Sequence, residues 1–143
     1  MRKVLAFAVL MIVTLTSTSC STGSGEEIFV NRIVFSVDGI VKDFRGVQVQ
    51  QAASNNLYVR AQVGSEVIEA IEFEVQKNVT GTSAVTNMIF TQNNVEFYAL
   101  TGTQVTVTRN DEDRKIEGNF SGNFRTLSGT SKFISNGKFF FQY

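Results

Sequence analysis

The sequence predicts an all-β fold, an antiparallel β-sandwich of about eight to ten short strands, with a lipocalin-like β-barrel as the alternative. Three observations predict it. Apolar and polar residues alternate with period two in one segment after another, no window after residue 27 keeps apolar residues at i, i+3, i+4 and i+7 for long, and the 143 residues contain no proline. The sandwich is preferred because a barrel around a cavity needs longer unbroken strands than most of these segments offer.

Ile33, Phe35 and Val37 share one face of a strand, and Asp38-Gly39 after them is a tight-turn signal. Leu57, Val59, Ala61 and Val63 alternate with Tyr58, Arg60 and Gln62 before Gly64 ends the run. Ile71, Phe73 and Val75 alternate in the same way with Glu72, Glu74 and Gln76. Val95, Phe97 and Ala99 precede Val105 and Val107, with Thr101-Gly102 as the turn between them. Ile116, Gly118, Phe120, Gly122 and Phe124 lie on one face of a longer strand; its glycines beside phenylalanines imply close packing or a bend. The charged run Asn110 to Lys115 joins this strand to the one before it, and Ser128-Gly129 joins it to the next. Asn136-Gly137 reads as a turn ahead of the closing Lys138 to Tyr143, in which Phe140 faces away from Phe139 and Phe141. Each alternating run fits a half-buried antiparallel strand.

The chain starts with Met1-Arg2-Lys3 and continues with twelve residues, Val4 to Leu15, that are apolar except for Thr14. Ser and Thr follow up to Cys20, the single cysteine. A helix of twelve residues reaches only about 18 Å, short of the roughly 30 Å hydrocarbon layer, so residues 1–19 read as a signal peptide and not a membrane span. The order resembles bacterial lipoprotein precursors, which implies cleavage before Cys20 and acylation of its thiol. Two or three acyl chains would hold the protein firmly on a membrane. Residues 20–27 then form a Ser/Thr/Gly tether ending in Glu26-Glu27, which either solvate the tether or act as an acidic sorting signal for surface display. Residues 28–143 are one domain. The expected location is the cell envelope, anchored in the outer membrane on its periplasmic or surface face.

Loss of Arg2 and Lys3 leaves eleven basic side chains against thirteen acidic ones, so no nucleic acid is expected as a partner. There is no histidine, which removes Ser-His-Asp, Cys-His and His-metal chemistry. A carboxylate pair is the remaining catalytic option, and Glu72 with Glu74 would stand about 7 Å apart on one strand face. Both lie on the solvated side, where charges are expected anyway. Asp111-Glu112-Asp113 places carboxylates at alternate positions, but the sixth and twelfth places counted from Asp111 hold Ile116 and Gly122 where a calcium loop needs Gly and Glu. No catalytic residue, metal ligand or cofactor is therefore assigned. The candidate ligand-binding residues are Tyr58, Arg60 and Tyr98, which lie opposite the apolar stripes of their strands. The expected function is a non-catalytic module binding an envelope protein or glycan, with an accessory subunit of an envelope complex as the alternative.

The order of four pieces resembles a family of small Bacteroidota-type lipoproteins carrying an all-β domain of unknown function. They are Phe35-Ser36-Val37-Asp38-Gly39, Val105-Thr106-Val107-Thr108, Ile116 to Gly122, and Ile134-Ser135-Asn136-Gly137-Lys138-Phe139. The resemblance implies an envelope lipoprotein of tether plus single domain and carries no functional residues. Asn78 to Thr86 fits it least well, as a longer loop would.

Overall fold

The structure is a computed structural model that describes residues 30–53, 55–64 and 69–143. The signal peptide expected at 1–19, Cys20 and the tether 20–27 lie outside the described residues. The described chain forms ten strands: β1 Arg32–Val37, β2 Ile40–Phe44, β3 Val47–Gln51, β4 Asn56–Val63, β5 Glu69–Gln76, β6 Val85–Gln92, β7 Val95–Ala99, β8 Gln104–Asn110, β9 Lys115–Arg125 and β10 Ser131–Gln142. All belong to one antiparallel sheet in the order β2-β1-β10-β9-β7-β6-β5-β4-β3, with β8 paired to β9. The two ends of that order, β2 and β3, are consecutive in the chain, with only Arg45 and Gly46 between them. The chain itself thus spans the seam, and the sheet curls into a nearly closed barrel.

The expected sandwich is corrected by this topology, because a sandwich needs two sheets and here one ladder of hydrogen bonds runs through every strand. Long strands do exist, eleven residues in β9 and twelve in β10, but an irregularity hides the second. Asn136-Gly137 is a bulge inside β10 and not a turn: the register against β9 shifts between Ile134 and Gly137, and Asn136 takes a φ of 53°. Two further runs of chain bend, so that each supplies two strands. One is 40–51, which pairs with β1 as β2 and with β4 as β3. The other is 95–110: Thr101-Gly102 does turn, but β7 and β8 both pair with β9 instead of forming a hairpin with each other.

The remaining turns follow the sequence reading. Asp38 and Gly39 have φ of 50° and 84° and connect β1 to β2 through the Val37–Ile40 pair, the mirror-image turn that matches strand twist. Asn110 to Lys115 connects β8 to β9, and Thr126 to Thr130 connects β9 to β10. Between β5 and β6 the chain from Lys77 to Ala84 is the longer loop expected there; Gly81 exchanges two backbone hydrogen bonds with Val107 of β8.

Most of the alternating apolar residues are buried, as their periodicity requires; Val63 at the end of β4 and Val95 at the start of β7 are exposed, because both stand at the rim of the barrel beside a turn. Ile33, Phe35, Val37, Leu57, Val59, Ala61, Ile71, Phe73, Val75, Ile116, Phe120 and Phe124 are all buried. Phenylalanines fill the interior and meet from opposite walls. Phe35 of β1 stacks on Phe44 at 5.4 Å and meets Phe90 of β6 edge-on at 5.5 Å, while Phe73 of β5 packs on Phe139 of β10 at 5.1 Å. Burying each such ring stabilises the fold by roughly 1.5–3 kcal/mol before ordering costs are subtracted. The Phe-rich end is not an edge: β10 runs between β1 and β9, and Phe140 lies in register with Arg32 on one side and Glu117 on the other.

Candidate functional site

The outer face of β3, β4 and β5 carries the polar halves of the alternating strands. Antiparallel register sets Gln48 beside Arg60 and Arg60 beside Glu72; one row on, it sets Gln50 beside Tyr58 and Tyr58 beside Glu74. Gln48, Gln50, Tyr58, Arg60 and Gln62 line a shallow depression of about 300 Å³. It lies next to the edge of the sheet at β3, which among the described strands pairs with β4.

Tyr58 and Arg60 converge on one carboxylate. The Tyr58 hydroxyl donates to Glu72 Oε2, and the Arg60 guanidinium stands 3.6 Å from the same oxygen. Partial burial pushes the Tyr58 pKa up, and its bond to Glu72 pushes it further, so the hydroxyl stays protonated at neutral pH. Glu74 accepts from Asn56 Nδ2 at 3.3 Å. The two carboxylates weighed as a catalytic pair are thus each engaged by a neighbouring side chain.

Tyr98 is separate. It sits on β7, where Ile89 of β6 and Arg125 of β9 are its register partners, two strands beyond Glu72. Its hydroxyl donates to Glu96 on its own strand, a bond that raises its pKa, and it borders a different depression that includes Asn94 and Leu127. The sequence placed all three residues on the outward face, and the structure brings together only Tyr58 and Arg60. Gln62, already placed by its alternation on the face of Tyr58 and Arg60, completes the groove with Gln48 and Gln50, which escaped sequence reasoning although Val47 to Gln51 alternates and could have been paired with 57–63 as a neighbouring strand.

Two other polar clusters have structural roles. At the β8–β9 turn, Arg109 engages Asp111, Glu117 at 3.2 Å and Asp113 at 4.0 Å, so a guanidinium occupies the place considered for calcium. Its bond to Asp111 holds that carboxyl below the usual range. Near the seam, Lys42 of β2 reaches Glu69 of β5 at 2.6 Å, and Gln92 donates to the same carboxylate at 2.8 Å. Burial pushes the Glu69 pKa up, but these donors outweigh it and the net shift is downward. Among the described residues, no three His, Cys, Asp or Glu side chains gather as a metal site, and no helix is long and apolar enough to cross a membrane.

No protein-family model, curated protein or solved structure matches this chain.

Proposed function

We propose that this chain is a lipid-anchored module of the bacterial cell envelope, held through Cys20, that binds a glycan or a protein without catalysing a reaction. The observation that carries the binding reading is the groove of Gln48, Gln50, Gln62, Tyr58 and Arg60 on a solvent-facing sheet. Three amides offer donors and acceptors together, one aromatic ring offers a stacking face and one guanidinium offers charge, a set suited to hydroxyl-rich or peptide-like ligands. The anchor reading rests on the order of basic start, apolar run, small residues and cysteine. Ten residues from Cys20 to Phe29 reach at most about 35 Å, enough to let a small domain turn above a membrane.

The test is crosslinking in intact cells, comparing the wild type with Tyr58→Ala, Arg60→Ala and Cys20→Ala. The expected outcome is a defined glycan or protein adduct that both groove variants lose, with the Cys20→Ala protein released to the soluble fraction. An adduct indifferent to Tyr58 and Arg60 would overturn the groove, and membrane retention of Cys20→Ala would overturn the anchor.

One observation favours the accessory-subunit reading. Of the eight exposed large apolar residues among those described, six, Ile40, Val41, Val63, Val95, Leu127 and Phe133, lie toward the end of the barrel that carries the β1–β2, β6–β7 and β9–β10 turns; Val30 and Leu100 do not. Leu127 is 93% exposed at a hairpin tip. Apolar residues collected at one pole are the ordinary mark of a docking surface. Loss of a captured protein on Leu127→Ser, with the groove variants silent, would favour this reading over the groove.

A further inference from the structure

Three side-chain amides of the outer face are left over from the hydrogen bonding of the fold. Gln48 and Gln50 of β3 and Gln62 of β4 form no side-chain hydrogen bond among the described residues, whereas the amides of Asn56 and Gln92 on nearby strands are committed to Glu74 and Glu69. The three flank Tyr58 and Arg60 in the depression of about 300 Å³. Its lining contains no aliphatic residue, and Tyr58 is its one aromatic ring. A surface that docks a folded protein is ordinarily centred on apolar anchors, and one that takes an extended peptide ordinarily offers pockets for its side chains. The charges argue against a second class of ligand. Arg60 is the one cation of the lining, and it already stands 3.6 Å from Glu72 Oε2. Glu74 lies beside Tyr58 in the next row and accepts from a neutral donor, the Asn56 amide at 3.3 Å. Arg60, Glu72 and Glu74 together carry one net negative charge, whereas a carboxylate or sulfate ligand is best held by a guanidinium fork that no other anion opposes.

We propose that the Tyr58–Arg60 groove takes an uncharged glycan and rejects acidic ones. The inference rests on the reading of this groove as a binding site and names the class of its ligand. Sugar hydroxyls donate and accept at once, as side-chain amides do, so Gln48, Gln50 and Gln62 can exchange paired hydrogen bonds with them. The Tyr58 hydroxyl is tied to Glu72, which fixes the angle at which its ring meets the C–H face of a sugar. Arg60, held beside the same carboxylate, keeps donors for hydroxyl and ring oxygens.

From Tyr58 to Gln62 the site runs about 13 Å along β4, which is longer than one sugar ring and suits a short stretch of a polysaccharide. Each of these hydrogen bonds replaces one made to water, so the affinity is weak, with a Kd of about 0.1–1 mM.

The test is calorimetric titration of the purified protein with dextran, mannan, xylan and a soluble β-glucan, with the acidic polymers polygalacturonate, alginate and hyaluronate, and with a peptide digest of casein. At least one neutral polymer is expected to bind, with an affinity that added salt leaves unchanged, and no acidic polymer is expected to bind at low salt. Tyr58→Ala should weaken the neutral polymer at least about tenfold. Gln48→Ala/Gln50→Ala, altered only at exposed outward positions, should do so as well, with the thermal midpoint of wild type showing that the fold is intact. Binding of acidic polymers as tight as that of neutral ones, or of casein peptides alone, with either sensitive to Tyr58 and Arg60, overturns the ligand class and leaves the groove a binding site. Neutral binding indifferent to both variants, or no binding of any probe, overturns the inference too; the groove itself falls only when the cellular crosslinking adduct is also indifferent to Tyr58 and Arg60.

Discussion

Gly118 of β9 and Phe139 of β10 are register partners, and the phenyl ring of Phe139 occupies the space that a side chain on Gly118 would need. Gly137 and Phe120 repeat the arrangement one step along the same strand pair, where a Cβ on Gly137 would come within 2.6 Å of the Phe120 ring. The glycines are therefore recesses for rings, and their cost in strand propensity is offset by aromatic packing. Gly118→Ala should destabilise the fold by about 1–3 kcal/mol through overpacking, measured by urea denaturation. Gly39→Ala has open space around it but a φ of 84°, so its penalty should come from backbone strain and leave the interior packing intact.

Phe35 joins the two walls of the barrel through Phe44, Phe90 and Phe120. Phe35→Ala should cost about 3–5 kcal/mol, more than the same change at half-exposed Phe133, which should fall within about 0.5 kcal/mol of wild type. Thermal unfolding of the two variants checks the contrast.

The Glu69 carboxyl sits below its ordinary value of 4.5 in the folded chain, so the unfolded chain binds its proton more readily. Its contribution to stability is fully present above about pH 4.5 and is lost as pH falls through the lowered folded value. Lys42→Met removes the charged donor and leaves only Gln92 and the more distant Lys132 to oppose burial, so the Glu69 pKa should rise from its lowered value. The variant should then be less stable at pH 7 by about 1 kcal/mol and show a flatter acid limb in denaturant midpoints against pH.

Tyr58→Phe deletes the hydroxyl that donates to Glu72 while Arg60 remains near the same oxygen. Stability should fall by only about 0.5–1.5 kcal/mol, whereas the change should weaken capture of any ligand that uses the groove. Tyr98→Phe, on the other depression, should leave that capture unchanged in the crosslinking assay.

Much of the strand content was legible because burial imposes period two, and the inward residues of β1, β4, β5 and β9 were read directly. What the alternation could not convey was how strands neighbour one another. β6 illustrates one reason: Asn87 takes a φ of 53° and the register against β5 shifts there, so the phase of its apolar residues changes within the strand. Asn136-Gly137 illustrates another, since the preference for positive φ that makes Asn-Gly a turn signal serves a bulge equally well. The groove was half legible. Tyr58 and Arg60 lie two apart on one strand, so their shared face follows from sequence, but Gln48 and Gln50 join them only through pairing with β3, and Tyr98 leaves them because β6 intervenes.

In chain order most pairings of the barrel are local, each strand meeting the one just before or after it. β7 skips only β8 to meet β9, but β10 must lie against β9 and also reach back to β1 at the far end of the described chain. Closing so large a loop is an entropic toll that every local hairpin escapes, and topologies with such contacts fold slowly. Until Ser131 to Gln142 is in place, β1 lacks one neighbour and β9 retains an open flank, so a chain cut before Ser131 becomes an unfinished sheet with sticky margins instead of a smaller barrel. During synthesis, the interval before the twelve residues of β10 arrive is when those margins can pair wrongly and misassembly would begin.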